Sequence, residues 1–285
     1  MTPRLIRVRS ESGDYQLLEA LKKSRVKRQK QGRFFVESVA CINAARAHGW
    51  RFSSFIYAAD QQLSGWARDI LAAVPAEQHL ELAPELLEQL SDRSEASELM
   101  AVVEMAPDDL ARIALGEGDG EPRGDMLIVV LDRPSSPGNL GTILRTADAM
   151  GAHGVVVTGH AADIYDPVTV RASLGALFAT PAVRAPSSQA IEPWLARLRS
   201  EHGAQLVGTS ARAPAHLADH DFRRPTILFL GNETAGLSAH CRSLCDTLVG
   251  IPQRGTASSL NVASAAAIAL YEIARQRRES RPCPG

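Results

Sequence analysis

The sequence predicts an α/β protein whose C-terminal half is built on a mostly parallel sheet covered on both faces, with a smaller α/β domain in front of it. Three observations carry this. Short apolar segments alternate with helical ones from residue 126 to about residue 275. A polar, acidic, glycine-rich stretch breaks the pattern at 107–124. Before that stretch, a basic segment runs into a shorter alternation of strand and helix. At 285 residues and 45% hydrophobic, the chain has ample apolar material for two cores.

The basic segment comes first. Residues 1–33 hold ten Lys or Arg (Arg4, Arg7, Arg9, Lys22, Lys23, Arg25, Lys27, Arg28, Lys30, Arg33) against Glu11, Asp14 and Glu19, a local +7 in a chain of net charge −1, which leaves −8 for the other 252 residues. The dense part, from Lys22 to Lys30, reads either as a solvated helix face or as a set of phosphate contacts. No apolar run of 18 residues occurs, and the start Met1-Thr2-Pro3-Arg4-Leu5-Ile6-Arg7 lacks the apolar core of a signal peptide. A soluble, cytoplasmic protein is therefore expected, with no membrane partner. Cys41, Cys241, Cys245 and Cys283 form no C-x-x-C pair, and Cys241 and Cys245, four apart, share a helix face rather than a metal, so no metal is expected.

Strand-like residues 33–37, a helix at 38–49 closed by Gly49, a strand at 52–57, helices near 61–73 and 84–91 and a strand at 99–104 make a first domain over 1–106. The linker occupies 107–124, and a second domain covers 125–285. Its strands are expected at 126–132, 154–158, 182–184, 205–209, 226–230 and 247–251, and its helices near 139–150, 167–178, 190–202 and 238–244. The last strand runs into a loop that Pro252 and Gly255 keep irregular, and Ser258 or Ser259 is then the expected N-cap of a helix starting near Leu260. In that helix Leu260, Ala263, Ala267, Leu270 and Ala274 fall at helical spacing, and the alanines let another backbone approach closely.

Three stretches concentrate polar residues in turns that follow apolar strands: Leu131-Asp-Arg-Pro-Ser-Ser-Pro-Gly-Asn-Leu-Gly-Thr-Ile-Leu-Arg-Thr-Ala147, Ile227-Leu-Phe-Leu-Gly-Asn-Glu-Thr-Ala-Gly-Leu-Ser238, and Ile251-Pro-Gln-Arg-Gly-Thr-Ala-Ser-Ser-Leu-Asn-Val262. Each turn has bland readings: an ordinary glycine turn, a surface arginine, a loop acid, a plain N-cap. In this order, with Asn139 and Arg145, Gly231-Asn-Glu233, and Ile251-Pro with Ser259-Leu-Asn261, they resemble the three motifs of the SpoU (TrmH-type) branch of the SPOUT methyltransferases over residues 125–278. Arg33-Phe-Phe-Val-Glu-Ser38 and the stretch 91–103 resemble, less specifically, the substrate-binding domain found before the catalytic domain in many SpoU proteins, itself similar to a small ribosomal-protein fold that binds RNA. Gln253 departs from the methionine more common after Ile-Pro, which touches fine contacts to cofactor or RNA.

The resemblance implies a C-terminal trefoil knot, which spacing alone does not reveal, and methyl transfer from S-adenosyl-L-methionine to a ribose 2′-hydroxyl. Thr209, Gly231, Ile251 and Leu260 match the positions that hold the cofactor, and Gly231 and Gly255 are read as permitting close backbone approach and a sharp turn. Arg145 takes the place of the essential arginine, either as a phosphate-assisted base or as a clamp on phosphate and developing alkoxide; the second is physically easier for so weak an acid. Glu233 is expected to orient Arg145 or a neighbouring polar group. Asn139, Ser259 and Asn261 are expected to hydrogen-bond ribose or phosphate, with Ser259 also readable as a cap alone. The basic residues Lys22, Lys23, Arg25, Lys27, Arg28, Lys30 and Arg33 are then expected to contact RNA, ribosomal RNA in preference to transfer RNA. A homodimer packed on the 260–275 helix completes the expectation. Two other classes compete. A nucleotide-dependent oxidoreductase lacks its G-x-G-x-x-G turn and acidic ribose ligand here, and a non-catalytic RNA-binding assembly protein has no need of so many filled polar positions.

Overall fold

The computed structural model describes residues 3–93, 95–115, 125–256 and 259–279; Ser258, Cys283 and the linker residues 116–124 lie outside these. The chain divides into two units. Unit 1 comprises Met1–Ala106 together with Tyr165–Ala179, and unit 2 comprises Pro107–Ile164 with Thr180–Gly285. Among the described residues no helix is long and apolar enough to cross a membrane.

In unit 1 the elements are β1 (Arg4–Val8), α1 (Gly13–Lys23), α2 (Arg25–Gln31), β2 (Arg33–Val36), α3 (Val39–Ala47), β3 (Phe52–Ala58), α4 (Gly65–Ala73), β4 (Ala76–Leu82), α5 (Pro84–Leu90) and β5 (Leu99–Glu104). The sheet order is β1-β4-β3-β5-β2, parallel across the first three and antiparallel across the last two steps. Two strands escape the sequence reading. Arg4-Leu-Ile-Arg-Val8 reads there only as basic, and Ala-Glu-Gln-His-Leu-Glu-Leu, at 76–82, carries enough charge to hide its alternation. Both are explained by pairing. Arg7 Nε lies 3.0 Å from Glu81 across the β1–β4 pair, so charges facing one another on the open side of the sheet replace apolar partners.

The basic residues are placed less uniformly than their density suggests. Lys23 pairs with Glu19 at 2.6 Å and Arg33 with Glu77 at 2.9 Å, both with exposed partners. Such surface pairs contribute little and can be exchanged for phosphate. Lys22 bonds Asp92 at 2.9 Å and the Leu90 carbonyl, and lies over the Phe35 ring. Lys27 and Lys30 point to solvent. Arg28 corrects the expectation: it is 2% exposed, donates to the carbonyls of Leu21 and Lys22, and reaches Asp166 at 3.4 Å. A guanidinium so enclosed joins α1, α2 and the 165–179 segment and does not face RNA.

That segment is the second departure from the sequence reading, which assigns it to the catalytic domain as one helix over 167–178. It forms two short helices, α7 (Pro167–Ala172) and α8 (Ala176–Ala179), broken at Leu174 (φ 49°) and Gly175 (φ 100°). Both pack into unit 1. The Phe34 ring lies 4.7 Å from Tyr165 and 6.1 Å from Phe178, Trp50 meets Phe178 edge-on at 5.1 Å and donates to its carbonyl at 3.0 Å, and Cys41 Sγ reaches the Val170 carbonyl. A Cβ on Gly175 would stand 2.8 Å from that of Ala44.

Unit 2 holds β6 (Leu127–Asp132), α6 (Pro137–Ala149), β7 (Gly154–Thr158), β8 (Ala182–Ala185), α9 (Glu192–His202), β9 (Gln205–Thr209), β10 (Ala215–His216), β11 (Thr226–Leu230), α10 (Ala239–Leu244), β12 (Thr247–Gly250) and α11 (Val262–Glu279). All seven strands run parallel in the order β10-β12-β9-β11-β6-β7-β8. Strands such as Thr226–Leu230, buried at every position, are what a parallel sheet covered on both faces requires. The alanine stripe of α11 finds its partner inside the unit: Ala263, Ala266, Ala269, Leu270 and Ile273 are buried, and α11 packs on α6, where Gly141 is also buried. Ala263 and its fellows are thus used within one chain, and Leu260, Ile268 and Tyr271 stay exposed. Arg277 fastens the far end of α11 by donating to the carbonyls of Asp125, Met126, Phe222 and Arg224.

Unit 1 therefore depends on residues about sixty positions beyond its first segment. Residues 1–106 produced alone are expected to melt at lower temperature than the same residues joined through a short Gly/Ser linker to 165–179. Phe178→Ala in the full chain is expected to cost about 3 kcal/mol in chemical denaturation. Equal melting of the two fragments would show that the segment is not structural.

Candidate functional site

The three polar turns converge because their strands are neighbours. In the ladder, Leu131 pairs with Leu230, Phe229 with Gly208, and Val249 with Thr209, so β6, β11, β9 and β12 end nearly level. The carboxyl edge of such a sheet is where open α/β folds place ligands.

Glu233 lies at the centre. Its carboxylate accepts from the Ser135 amide at 3.0 Å, the Ser135 hydroxyl at 2.8 Å, the Ser136 amide at 3.1 Å and Asn139 Nδ2 at 3.2 Å. Burial pushes its pKa up, but the amide and hydroxyl of Ser135, its own backbone and the Asn139 side chain outweigh that and bring it from 4.5 down to about 2. The chain of bonds continues: Asn261 Nδ2 donates to Asn139 Oδ1 at 3.1 Å, and Asn261 Oδ1 accepts from the amides of Ala263 at 2.8 Å and Ser264 at 3.3 Å. Motif two thus holds motif one, and motif one holds motif three. Asn261, not Ser259, is the cap of α11; Ser259 is exposed, and its side chain makes no hydrogen bond among the described residues.

A second clasp lies beneath. Asp132, 3% exposed, accepts from Arg133 Nε at 2.9 Å and the Ser238 amide at 2.6 Å. Burial raises its pKa, while the bonds from Arg133 and Ser238 hold it below the ordinary value. Arg133 adopts φ 55°, a left-handed conformation uncommon outside glycine, and its carbonyl accepts from Asn232 Nδ2 at 2.8 Å. Asp132, Arg133, Ser135, Ser136 and Asn232 are given no role in the sequence reading. An acid closing an otherwise apolar strand, and a Ser-Ser pair before Pro-Gly, are the signals that could have singled out Asp132 and the capping Ser136.

Arg145 stands apart from this network. It lies on the exposed face of α6 with Thr142, and among the described residues its guanidinium makes no hydrogen bond or ion pair. Glu233 therefore does not orient Arg145; of the two expectations for it, only a neighbouring polar group, Asn139, applies. Thr209 ends β9 with its hydroxyl on the Phe229 carbonyl at 3.2 Å, Ile251 follows β12 half-buried, and Leu260 is 37% exposed. Gly231 departs from its expected use. A Cβ there would stand 2.2 Å from the Leu237 nitrogen and 2.3 Å from the Gly236 carbonyl carbon, so the close approach it permits is to the chain's own backbone. Gly255 has a φ outside the left-handed region and open space where a Cβ would go, so its turn does not require glycine.

The Glu233 bonds make a pH prediction. A carboxylate whose folded pKa lies below its unfolded value adds stability that is complete above about pH 4.5 and is lost as pH falls toward about 2. Thermal melts of Glu233→Gln and wild type should therefore differ at pH 6 and converge near pH 2; a constant gap would exclude the ionised carboxylate as the source.

The sequence profile of the SpoU rRNA Methylase family matches residues 126–271, and that of the SpoU L30e-like domain matches residues 12–101. A 23S rRNA (uridine(2479)-2′-O)-methyltransferase of Streptomyces viridochromogenes is 47% identical over 282 residues, covering 98% of this chain and 96% of its own. The crystal structure of the SpoU methyltransferase AviRb from Streptomyces viridochromogenes in complex with AdoMet superposes with a TM-score of 0.87 at 47% identity, covering 95% of this chain and all (100%) of that one. An AdoMet-bound rRNA methyltransferase from Sinorhizobium meliloti gives 0.80 at 29% identity, with 98% and 99% covered. With both profiles matched in order, and a relative aligned along nearly its whole length, the chain belongs to the SpoU rRNA Methylase family.

Proposed function

We propose that this protein transfers a methyl group from S-adenosyl-L-methionine to a ribose 2′-hydroxyl of ribosomal RNA of the 23S type. The observation that carries it is the linked set Glu233–Asn139–Asn261 with the unpaired Arg145 on the same helix as Asn139. The relatives named 23S rRNA and rRNA methyltransferases support the choice of ribosomal over transfer RNA.

The residues present fit the cofactor. Thr209, Gly231 and Ile251 follow the level ends of three adjacent parallel strands, where main-chain groups are available to a nucleoside, and half-open Leu260 offers apolar contact. Because the missing Cβ of Gly231 is taken up by Gly236 and Leu237, the fit rests on those strand ends and not on a cleft at that glycine. When bound, the cofactor supplies an electrophilic methyl group on a sulfonium sulfur.

The protein's own share is orientation and charge. Glu233, ionised and already holding four donors, is a poor general base near neutral pH. Asn139 and Asn261 each spend one amide proton on the relay and keep one, aimed by it, for ribose or phosphate. Arg145 supplies a fixed positive charge that clamps the phosphate and stabilises the negative charge developing on the ribose oxygen as its proton passes to solvent water and the methyl group is transferred. Unit 1 holds the RNA, with Lys27, Lys30 and the exchangeable Lys23 and Arg33 facing it. The family's trefoil knot, a cytoplasmic location beside the ribosome, and a homodimer closed over Leu260, Ile268 and Tyr271 belong to the same proposal; the exposed pair Ile268 and Tyr271 on α11, with Leu260 exposed just before the helix, supports the dimer.

Arg145→Ala should leave calorimetric binding of S-adenosylmethionine intact and lower methylation of unmodified 23S rRNA by at least about a hundredfold, in the range for loss of one oxyanion-stabilising group. Activity within a few-fold of wild type would remove Arg145 from the chemistry, and transfer to tRNA alone would change the substrate. Leu260→Glu should abolish cofactor binding. Light scattering of the pair Ile268→Glu/Tyr271→Glu should report a monomer where wild type is a dimer; a wild-type monomer active at assay concentration would end the dimer proposal.

A further inference from the structure

Most arginines of unit 2 are spent within the fold. Arg184 pairs with Asp108, Arg197 with Glu201, Arg199 with Asp246, Arg223 with Asp221, Arg275 with Glu272 and Arg133 with Asp132, while Arg112, Arg224 and Arg277 donate to carbonyls. Five exposed guanidinium groups have neither hydrogen bond nor ion pair among the described residues: those of Arg145, Arg212, Arg242, Arg254 and Arg278. Arg278 sits on the last turn of α11, next to the Arg277 that is fastened to the start of β6. The other four have a common origin. Each follows the carboxyl end of one of four adjacent strands: Arg145 after β6, Arg212 after β9, Arg242 after β11 and Arg254 after β12.

Local geometry keeps them at that edge. The loop bearing Arg212 folds over the end of β12, since a Cβ on Gly250 would meet the Ser210 carbonyl at 3.0 Å and the Ala213 Cβ at 3.5 Å, and the Arg254 loop leaves from that same glycine. Arg242 reaches back to the turn after β11: its Nη2 would stand 3.8 Å from a Cβ on Gly236. Within the turns 133–136, 210–214, 231–238 and 251–256 the only acid is Glu233, whose carboxylate is saturated by Ser135, Ser136 and Asn139. A chain that carries −8 beyond residue 33 thus has an edge where four unpaired guanidinium groups stand against one ionised carboxylate, whose oxygens are already taken up by neutral donors.

We propose that Arg212, Arg242 and Arg254 hold backbone phosphates of the RNA on either side of the ribose that Arg145 meets, so that the catalytic unit carries a phosphate track of its own. This rests on the methyltransferase reading above. Guanidinium groups suit it because they stay charged and bind phosphate oxygens bidentately. Contacts of this kind set register without reading bases.

The test uses the full chain with Arg212→Gln, Arg242→Gln and Arg254→Gln combined, and an unmodified in vitro transcript of 23S rRNA as probe. The plot of log binding constant against log salt should become shallower by about 2 to 3, corresponding to three phosphate contacts at about 0.7 to 0.9 each. KM for the transcript should rise on the order of tenfold, following the lost contacts, with kcat within a few-fold and S-adenosylmethionine affinity unchanged. The corresponding triple lysine variant should recover most of the salt slope. An unchanged slope and KM overturn the proposal. Loss of cofactor affinity also overturns it, because the arginines would then serve the cofactor or the fold. Wild-type protein that binds the transcript but methylates no RNA sinks the enzymatic reading separately, leaving the track to be decided by the variant's slope.

Discussion

The carboxylate of Glu233 is the constraint on which the site depends. Placing an ionised acid partly out of water is unfavourable unless donors are fixed around it, and here two serine amides, one serine hydroxyl and one asparagine amide meet it. Its pKa near 2 measures how fully these donors compensate burial. The consequence is geometric more than chemical. The turn after β6 has Pro134 and Pro137 and little regular hydrogen bonding of its own, so its shape is set by what Glu233 holds. Asn139 is fixed through that turn, Asn261 through Asn139, and the start of α11 through Asn261.

Beneath it, Asp132 plays a parallel part with Ser238 and Arg133. Two buried or half-buried acids, at the end of β6 and just after β11, therefore each reach across to the neighbouring strand's turn. Adjacent parallel strands have no hairpin to align their ends. Side chains that cross from one turn to the next supply that alignment, and the left-handed φ of Arg133 is a strain carried where the turn is most tightly specified. Arg145 is left outside both clasps, on a rigid helix whose other face is buried by Leu140, Ile143, Leu144 and Ala147. A charge mounted this way is held in place by its backbone while its head remains available.

The architecture of unit 2 was legible because its strands are uninterrupted apolar runs and its turns are marked by Gly and Pro. The position of each turn followed from that, whereas Asn139, Glu233 and Asn261 as members of one site followed from the resemblance of the three turns to the SpoU motifs. Their connections were not legible. Nothing in the spacing of Glu233 says that it bonds to Ser135 and Asn139 in preference to Arg145, since that depends on the register of β6 with β11. Asn261 took the capping role that spacing gave to Ser258 or Ser259 because the polar loop continues further before helical bonding starts at Val262. In unit 1, β1 and β4 were hidden by charge that a two-stranded ion pair tolerates. That the 165–179 segment packs in unit 1 was not legible because chain order places it among catalytic elements, whereas Tyr165 and Phe178 complete an aromatic cluster with Phe34 and Trp50 from more than a hundred residues earlier.

Net charge was the least informative property of the sequence, and the structure explains why. A total of −1 conceals a segment of +7, and that segment in turn conceals Arg28, buried against two carbonyls and Asp166, and Lys22, tied to Asp92. What a polyanion meets is the charge left after internal pairing, not the formal count. All four lysines of the chain fall between residues 22 and 30, and every fixed positive side chain after Lys30 is arginine. Lysine, a flexible point charge, suits diffuse attraction of a strand, whereas the planar guanidinium suits phosphate held in one orientation. On the proposed reading the two units would divide the work, with ammonium groups such as Lys27 and Lys30 attracting the strand in unit 1 and guanidinium groups along the carboxyl edge of β12, β9, β11 and β6 fixing its register, where a displacement of the ribose by a single ångström would cost the alignment that methyl transfer needs.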